Sequence, residues 1–280
     1  MASAVNFDLD RGSRARAFAG LHQAWFVGLL FAVLIAIQAV GLFVLGTGRW
    51  GSWLAELIEV VGNLLAIACA WIVFRRAQRI VAMFWFLFTI VMVVWLIPNA
   101  VQTYDTLFDQ TTLPDSIWRL LYCLYGAPIL MMLFLPETSG RARVRSEIYL
   151  DLVQIAIVVG LIYSTFFFIP AQRMLPADAL LRDVSAADIQ SVLLLAAVLL
   201  RLQFARTAGS RSLLLRLALL ILVCAVATFI GDWIDLHHYV SAAAWFNLVW
   251  TLNQAAPALI AITWTPSPEP RIQSKAREVC

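Results

Sequence analysis

The chain has 280 residues, 62% of them hydrophobic and only 13% charged, with a formal net charge of +3. Soluble domains carry about 25% charged residues, so this composition excludes an ordinary globular enzyme. Its basic residues are dispersed and form no polybasic run with interleaved aromatics, which excludes a nucleic-acid partner.

Residues 1–23 hold Asp8, Asp10 and three arginines before Phe18, Leu21 and Trp25, and read as a short polar tail leading into an interfacial turn. A hydrocarbon core of about 30 Å needs about 20 apolar residues per helix. Eight segments meet or approach that length: 24–46, 53–74, 79–98, 116–135, 148–169, 188–204, 212–232 and 240–263. The first is longer than the apolar core of a secretion signal and lacks a clear small-x-small cleavage site, so it reads as an uncleaved span. Cys69, Cys123 and Cys224 fall inside spans at spacings that fit neither a zinc site nor a disulfide framework, and read as small buried hydrophobes.

The third segment gives way at Pro98 to an outer loop from Asn99 to Asp115. The sixth, from Ile189 to Phe204, is the shortest, with Arg201 near one end and able to snorkel. A Pro-interrupted stretch from Pro170 to Asp188 precedes it, and both outer stretches have room for short surface helices. Thr265-Pro266-Ser267-Pro268-Glu269-Pro270 ends the last helix, because proline cannot continue it, and residues 265–280 read as a disordered tail. The domain plan is therefore a cytoplasmic tail over 1–23, a transmembrane domain over 24–264 and a cytoplasmic tail over 265–280.

Orientation comes from the arginines. Arg11, Arg14 and Arg16; Arg75, Arg76 and Arg79; Arg141, Arg143 and Arg145; Arg201, Arg206, Arg211 and Arg216; and Arg271, Lys275 and Arg277 all fall on one side of the alternating segments. Of the 20 basic residues, only Arg49, Arg119, Arg173 and Arg182 fall on the other. Cytoplasmic loops retain Lys and Arg, so both termini are expected in the cytoplasm. Trp25, Trp50, Trp53, Trp95, Trp118, Trp233 and Trp264 sit near segment ends as interfacial markers, whereas Trp85, Trp245 and Trp250 are expected to pack inside the bundle. The expected fold is all-α: a polytopic membrane protein of eight transmembrane helices. A faint repeat at an offset near 130 relates Leu64-Leu65-Ala66 to Leu194-Leu195-Ala196 and Ala127-Pro128 to Ala256-Pro257. It would be a 4+4 parallel repeat about an axis along the membrane normal.

Polar groups inside a membrane are expensive, and three sets stand out. Glu56, Glu59 and Asn63 share one face of the second segment, either as a polar seam between helices or as the wall of an outward-facing pocket. Asp232, Asp235, His237 and His238 form the densest polar cluster, read as a solvated loop, a pH-responsive His pair or a metal site. Asn247, Asn253 and Gln254 lie at increasing depth in the last segment. All three sets, with Asn99, Tyr104 and Asp105, belong to the outer side by the arginine pattern. No phosphate loop, nucleophile elbow or His-Glu-x-x-His motif is present, and no metal or cofactor is expected.

Asp151-x-x-Gln154 followed by Phe166-Phe167-Phe168-Ile169-Pro170, then Gly231-Asp232 and Tyr239, Trp245 and Trp250, resembles the N-terminal membrane-sensor regions of bacterial sensor histidine kinases and GGDEF-type diguanylate cyclases. The resemblance implies an inner-membrane sensor module that binds a small or lipid-like ligand on its outer half and relays to a cytoplasmic signalling protein. The chain lacks a phosphoacceptor-His box, ATP-lid glycines and a Gly-Gly-Asp-Glu-Phe stretch, so neither output activity is expected. Membrane lipids and a second copy of the chain are the other expected partners. A membrane-embedded lipid hydrolase using Asp232, Asp235, His237, His238 and Glu59, and a small-solute transporter, are the alternatives.

Overall fold

The computed structural model describes residues 2–112, 121–136, 146–163, 165, 176–236 and 240–265. Among the described residues there is no strand, and eight helices follow one another: α1 (Ala2–Leu45), α2 (Arg49–Arg76), α3 (Arg79–Phe108), α4 (Gly126–Leu133), α5 (Ser146–Tyr163), α6 (Pro176–Phe204), α7 (Ala208–Leu236) and α8 (Val240–Ile262). Five stretches are long and apolar enough to cross a membrane: Leu21–Leu45, Arg49–Arg76, Arg79–Phe108, Ala187–Phe204 and Ala208–Ile234. Leu121–Leu133 and Val153–Ile162 are shorter apolar helices. The all-helical, membrane-embedded expectation therefore holds. Phe43, Trp25, Leu29, Leu150, Leu161 and Val192 are each more than half exposed, an apolar exterior suited to lipid.

Several boundaries differ from the sequence expectation. The α1 backbone is helical from Ala2, across the expected tail and turn. Helix α3 does not stop at Pro98 but runs on to Phe108. A proline removes one ladder hydrogen bond and crowds one carbonyl, a loss that helices flanked by neighbours tolerate. Asp109 ends α3 in the left-handed region (φ 55°), with Gln110 N–H bonding back to Asp105 O at 3.1 Å. Helix α6 starts at Pro176, well before the expected Ile189. Proline is well placed at a first helical position because the N–H it lacks would have had no partner there.

Proline does reshape the fourth segment. Pro128 has no N–H for Leu124 O, and Ala127 N–H bonds that carbonyl instead at 3.1 Å, tightening the chain just before α4. The turn between α1 and α2 needs Gly46 at φ +73°, since a Cβ is strained there. Thr207 caps α7, its Oγ1 accepting Ser210 N–H at 3.2 Å.

Packing closes a circuit. Helix α2 packs on α3, α3 on α4, α4 on α6, α6 on α7, α7 on α8, and α8 returns to α2. Outside this circuit α1 lies against α2 and α8, and α5 against α4. The core within it includes Phe84, Trp85, Phe88, Met92, Leu217 and Ile221. Trp85 is fully buried, as expected, and its ring lies 5.9 Å from Trp264. Two tryptophan expectations reverse. Trp95 is buried against Tyr125, ring centroids 5.2 Å apart, because α3 continues past it. Trp245 is exposed rather than packed inside. Cys69, Cys123 and Cys224 are buried free thiols.

At the arginine-rich end, two arginines bond backbone carbonyls. Arg211 Nε donates to Ala205 O at 3.0 Å across the α6–α7 turn. Arg216 reaches the end of α8, donating to Ile260 O at 2.6 Å, Thr263 Oγ1 at 2.9 Å and Thr263 O at 3.3 Å. These carbonyls lie at a helix C-terminus, where a cation also suits the dipole.

Candidate functional site

Helices α2 and α3 are antiparallel neighbours joined by a tight turn at Ala77 and Gln78. The start of α2 therefore lies beside the end of α3. Arg49 fastens that end, its Nε donating to Thr106 O at 3.2 Å and its Nη2 to Leu107 O. Just inside, Glu56 is buried at 8% exposure. Its Oε1 accepts Thr106 Oγ1–H at 3.0 Å and Gln102 Nε2–H at 3.4 Å, while the buried Oε2 meets no hydrogen-bond partner. One turn further along α2, Glu59 also has a buried carboxyl oxygen, Oε1, without a partner.

Tyr122 completes the cluster from the chain preceding α4. Its hydroxyl donates to Asn99 Oδ1 at 2.7 Å and lies 3.3 Å from Gln102 Oε1. Glu56 and Glu59 are within electrostatic reach of each other and of this hydroxyl, and Asp105 is within reach of Glu56. Asp105 itself accepts Thr112 N–H and Oγ1–H, the latter at 2.8 Å, pinning the chain after α3.

The other expected site residues go elsewhere. Asn63 is fully buried and occupied structurally: with its amide nitrogen toward Met92, it donates to Met92 O at 3.2 Å and accepts Leu96 N–H at 2.9 Å. It joins α2 to the α3 backbone two residues before Pro98. Gln254 packs where α8 crosses α2, its Cβ 3.5 Å from the position of a Cβ on Gly62. Asn253 is buried beside Cys224. Thr251 donates its one hydroxyl proton to Gln38 Oε1 at 2.6 Å, with the Asn247 carbonyl 3.2 Å from the same hydroxyl oxygen. The polar residues of α8 therefore form a seam with α1, α2 and α7.

Asp232 is partly buried on α7, next to Gly231, where a Cβ would meet Phe246 Cε1 at 2.8 Å. Neither Glu56 nor Glu59 hydrogen-bonds to it. The Asp235 side chain, His237 and His238 lie outside the described residues. Among the described residues, no three His, Cys, Asp or Glu side chains gather into a metal-binding group.

Among the described residues, the outer polar groups lie in a carboxyl cluster on α2–α3 and a neutral seam on α8. Gln102, Thr106 and Tyr122 were absent from the expected site. Asn99, Gln102 and Thr106 have the spacing of one helix face, a signal hidden by reading Pro98 as a helix end. At the opposite end of the bundle, a cleft is lined by Ile80, Phe84, Met132, Arg201, Ser210 and Leu213.

No family model, curated protein or solved structure matches the chain.

Proposed function

We propose that the chain is a receptor-like membrane module whose α2–α3 carboxyl cluster binds a small ligand on the outer side and signals to a cytoplasmic partner. The observation that carries this reading is the buried Glu56 carboxyl, held by α3 through one oxygen and without a partner at the other. A polar group buried in this way costs free energy unless something completes it. Glu56 lies about 10 Å along α2 from its start, near an end rather than at mid-membrane.

Helix α3 supplies the relay. Its 30 residues span about 45 Å. Gln102 and Thr106 grip Glu56 near one end, while Ile80 and Phe84 line the cleft near the other. A ligand that shifts Glu56 against α3 would displace a stiff rod whose far end meets the cleft. The arginine distribution supports eight spans with that cleft and both termini in the cytoplasm. Inner-membrane residence is part of the same proposal.

A 4+4 repeat is part of the proposal, and the packing supports it. Advancing the helices by four turns α2–α3 into α6–α7, α2–α8 into α6–α4, α1–α8 into α5–α4, and α3–α4 into α7–α8, and all of these pairs pack, whereas α1–α2 has no comparable α5–α6 counterpart among the described residues. At an offset of 129 residues, Gly62 and Gln254 correspond to Ser191 and Tyr125, which meet across α4–α6. Repeats of this kind also favour a second reading, small-solute transport between the two halves. Solute uptake into proteoliposomes would separate it from reception.

Native mass spectrometry of the full chain extracted from its own membranes tests the pocket. A small molecule should co-purify and be lost from the Glu56→Gln/Glu59→Gln variant. A bare chain in both samples would sink the reading. Labelling of single cysteines at Asp109 and Gln78 by an impermeant maleimide tests orientation, with Asp109 expected outside and Gln78 inside.

A further inference from the structure

The chemistry of the α2–α3 cluster is lopsided. Its side-chain acceptors are the carboxyl oxygens of Glu56 and Glu59, Gln102 Oε1, Asn99 Oδ1 and the Tyr122 oxygen. Against them stand the Gln102 and Asn99 amides, one Thr106 hydroxyl proton and one Tyr122 proton, fewer than the acceptor positions those oxygens offer. The Tyr122 proton goes to Asn99, at 2.7 Å, and leaves Gln102 Oε1 facing the phenol oxygen at 3.3 Å. Glu56 Oε2 and Glu59 Oε1 remain buried without a donor. Arg49, the nearest basic residue along α2, is turned to the carbonyls of Thr106 and Leu107. No Lys, Arg or His among the described residues pairs with either glutamate. Asp105 adds a third carboxylate within electrostatic reach.

Acceptors in excess and carboxyl groups that no basic residue among the described ones pairs with define a complement: a hard cation that prefers oxygen. We propose that this cluster binds such a metal cation, of the Ca²⁺ or Na⁺ class, through Glu56 and Glu59 with the side-chain oxygens of Asn99 and Gln102. The proposal rests on reading the same cluster as the outer pocket. Two carboxyl groups favour the divalent ion by charge balance. Binding would draw α2 and α3 together at the end where Gln102 and Thr106 already touch Glu56.

The test uses the purified full chain in detergent, at constant ionic strength in choline chloride, titrated separately with CaCl₂ and NaCl. The readouts are unfolding temperature and retention of ⁴⁵Ca²⁺ or ²²Na⁺ in equilibrium dialysis. One of the two ions should raise the unfolding temperature saturably by about 3–5 °C. The ion acting at lower concentration identifies the preferred charge. E56Q and E59Q should abolish both the rise and the retention, and in choline alone E56Q should be at least as stable as the parent because a neutral amide replaces a buried carboxyl group that no base pairs. Asp109→Asn, at the exposed end of α3, should bind as the parent does. No saturable rise with either ion, or an equal rise in E56Q and E59Q, would overturn the proposal. If the cations fail but a small molecule still co-purifies and is lost in the double variant, the outer pocket stands and its metal chemistry falls.

Discussion

The hydroxyls of Tyr125 and Ser191 lie 2.8 Å apart across the seam between α4 and α6, and both residues are buried. Ser191 also donates to Ala187 O at 3.0 Å within its own helix. Its single proton therefore leaves the tyrosine as the natural donor across the seam. Hydrogen bonds between membrane helices contribute about 0.6 kcal/mol on average and about 1.7 at most. Tyr125→Phe keeps the ring against Trp95 and removes this bond together with the hydroxyl's contact with the Gln190 side chain, so reversible unfolding in detergent should show a loss toward the top of that range. Ser191→Ala should lose no more than Tyr125→Phe, and the double variant no more than Tyr125→Phe alone. An additive double variant would mean that the two hydroxyls do not act as a pair.

Gly62 is where α8 approaches α2. A methyl there would lie 3.2 Å from Phe31 Cε1 and 3.5 Å from Gln254 Cβ. The tip of the Phe31 ring can yield a few tenths of an ångström, so Gly62→Ala should fold with little change. Gly62→Leu must force α1 and α8 away from α2 and should cost about 1–3 kcal/mol, read as a lowered unfolding temperature. A stable Gly62→Leu protein would show that the two helices are not closely packed here.

Gln38 and Thr251 make the buried polar link between α1 and α8, at 2.6 Å. Removing one partner strands the other, so Thr251→Val and Gln38→Leu should each destabilise by about 1 kcal/mol or more. Gln38 Nε2 already lacks a partner, so Gln38→Leu also removes a standing cost. It should be the milder of the two, and the double variant should recover part of the Thr251→Val loss. A double-mutant cycle checks both statements.

Arg216 ties α7 to the last carbonyls of α8. Arg216→Met keeps an unbranched apolar stem and deletes three hydrogen bonds. It should lower stability by about 1–2 kcal/mol. Amide hydrogen exchange should locate the loss in the final turn of α8, around Ile260–Thr263. Loosening spread evenly over the bundle would count against a capping role.

The sequence reading succeeded wherever length and composition decide structure. Among the described residues a helix falls within each of the eight apolar segments, and five stretches are long and apolar enough to cross a membrane. The buried cysteines and Trp85 were legible for the same reason. Prolines were less so. Pro98, Pro128 and Pro176 have three different effects: passing through α3, tightening the start of α4 and opening α6. Which one applies depends on what surrounds the freed carbonyl, a property of neighbours distant in sequence.

Glu56, Glu59 and Asn63 looked equivalent on one helix face. Only the position of α3 separates them, engaging Asn63 with its backbone, gripping one oxygen of Glu56 and leaving Glu59 Oε1 without a hydrogen bond. The sequence by itself determined the solvent of this protein, its helix-rich class and the uneven placement of arginine, because these follow from local composition. The tertiary structure alone decided which costly polar groups are satisfied and which still require a partner, because hydrogen bonding depends on distances between helices that no spacing along one chain encodes.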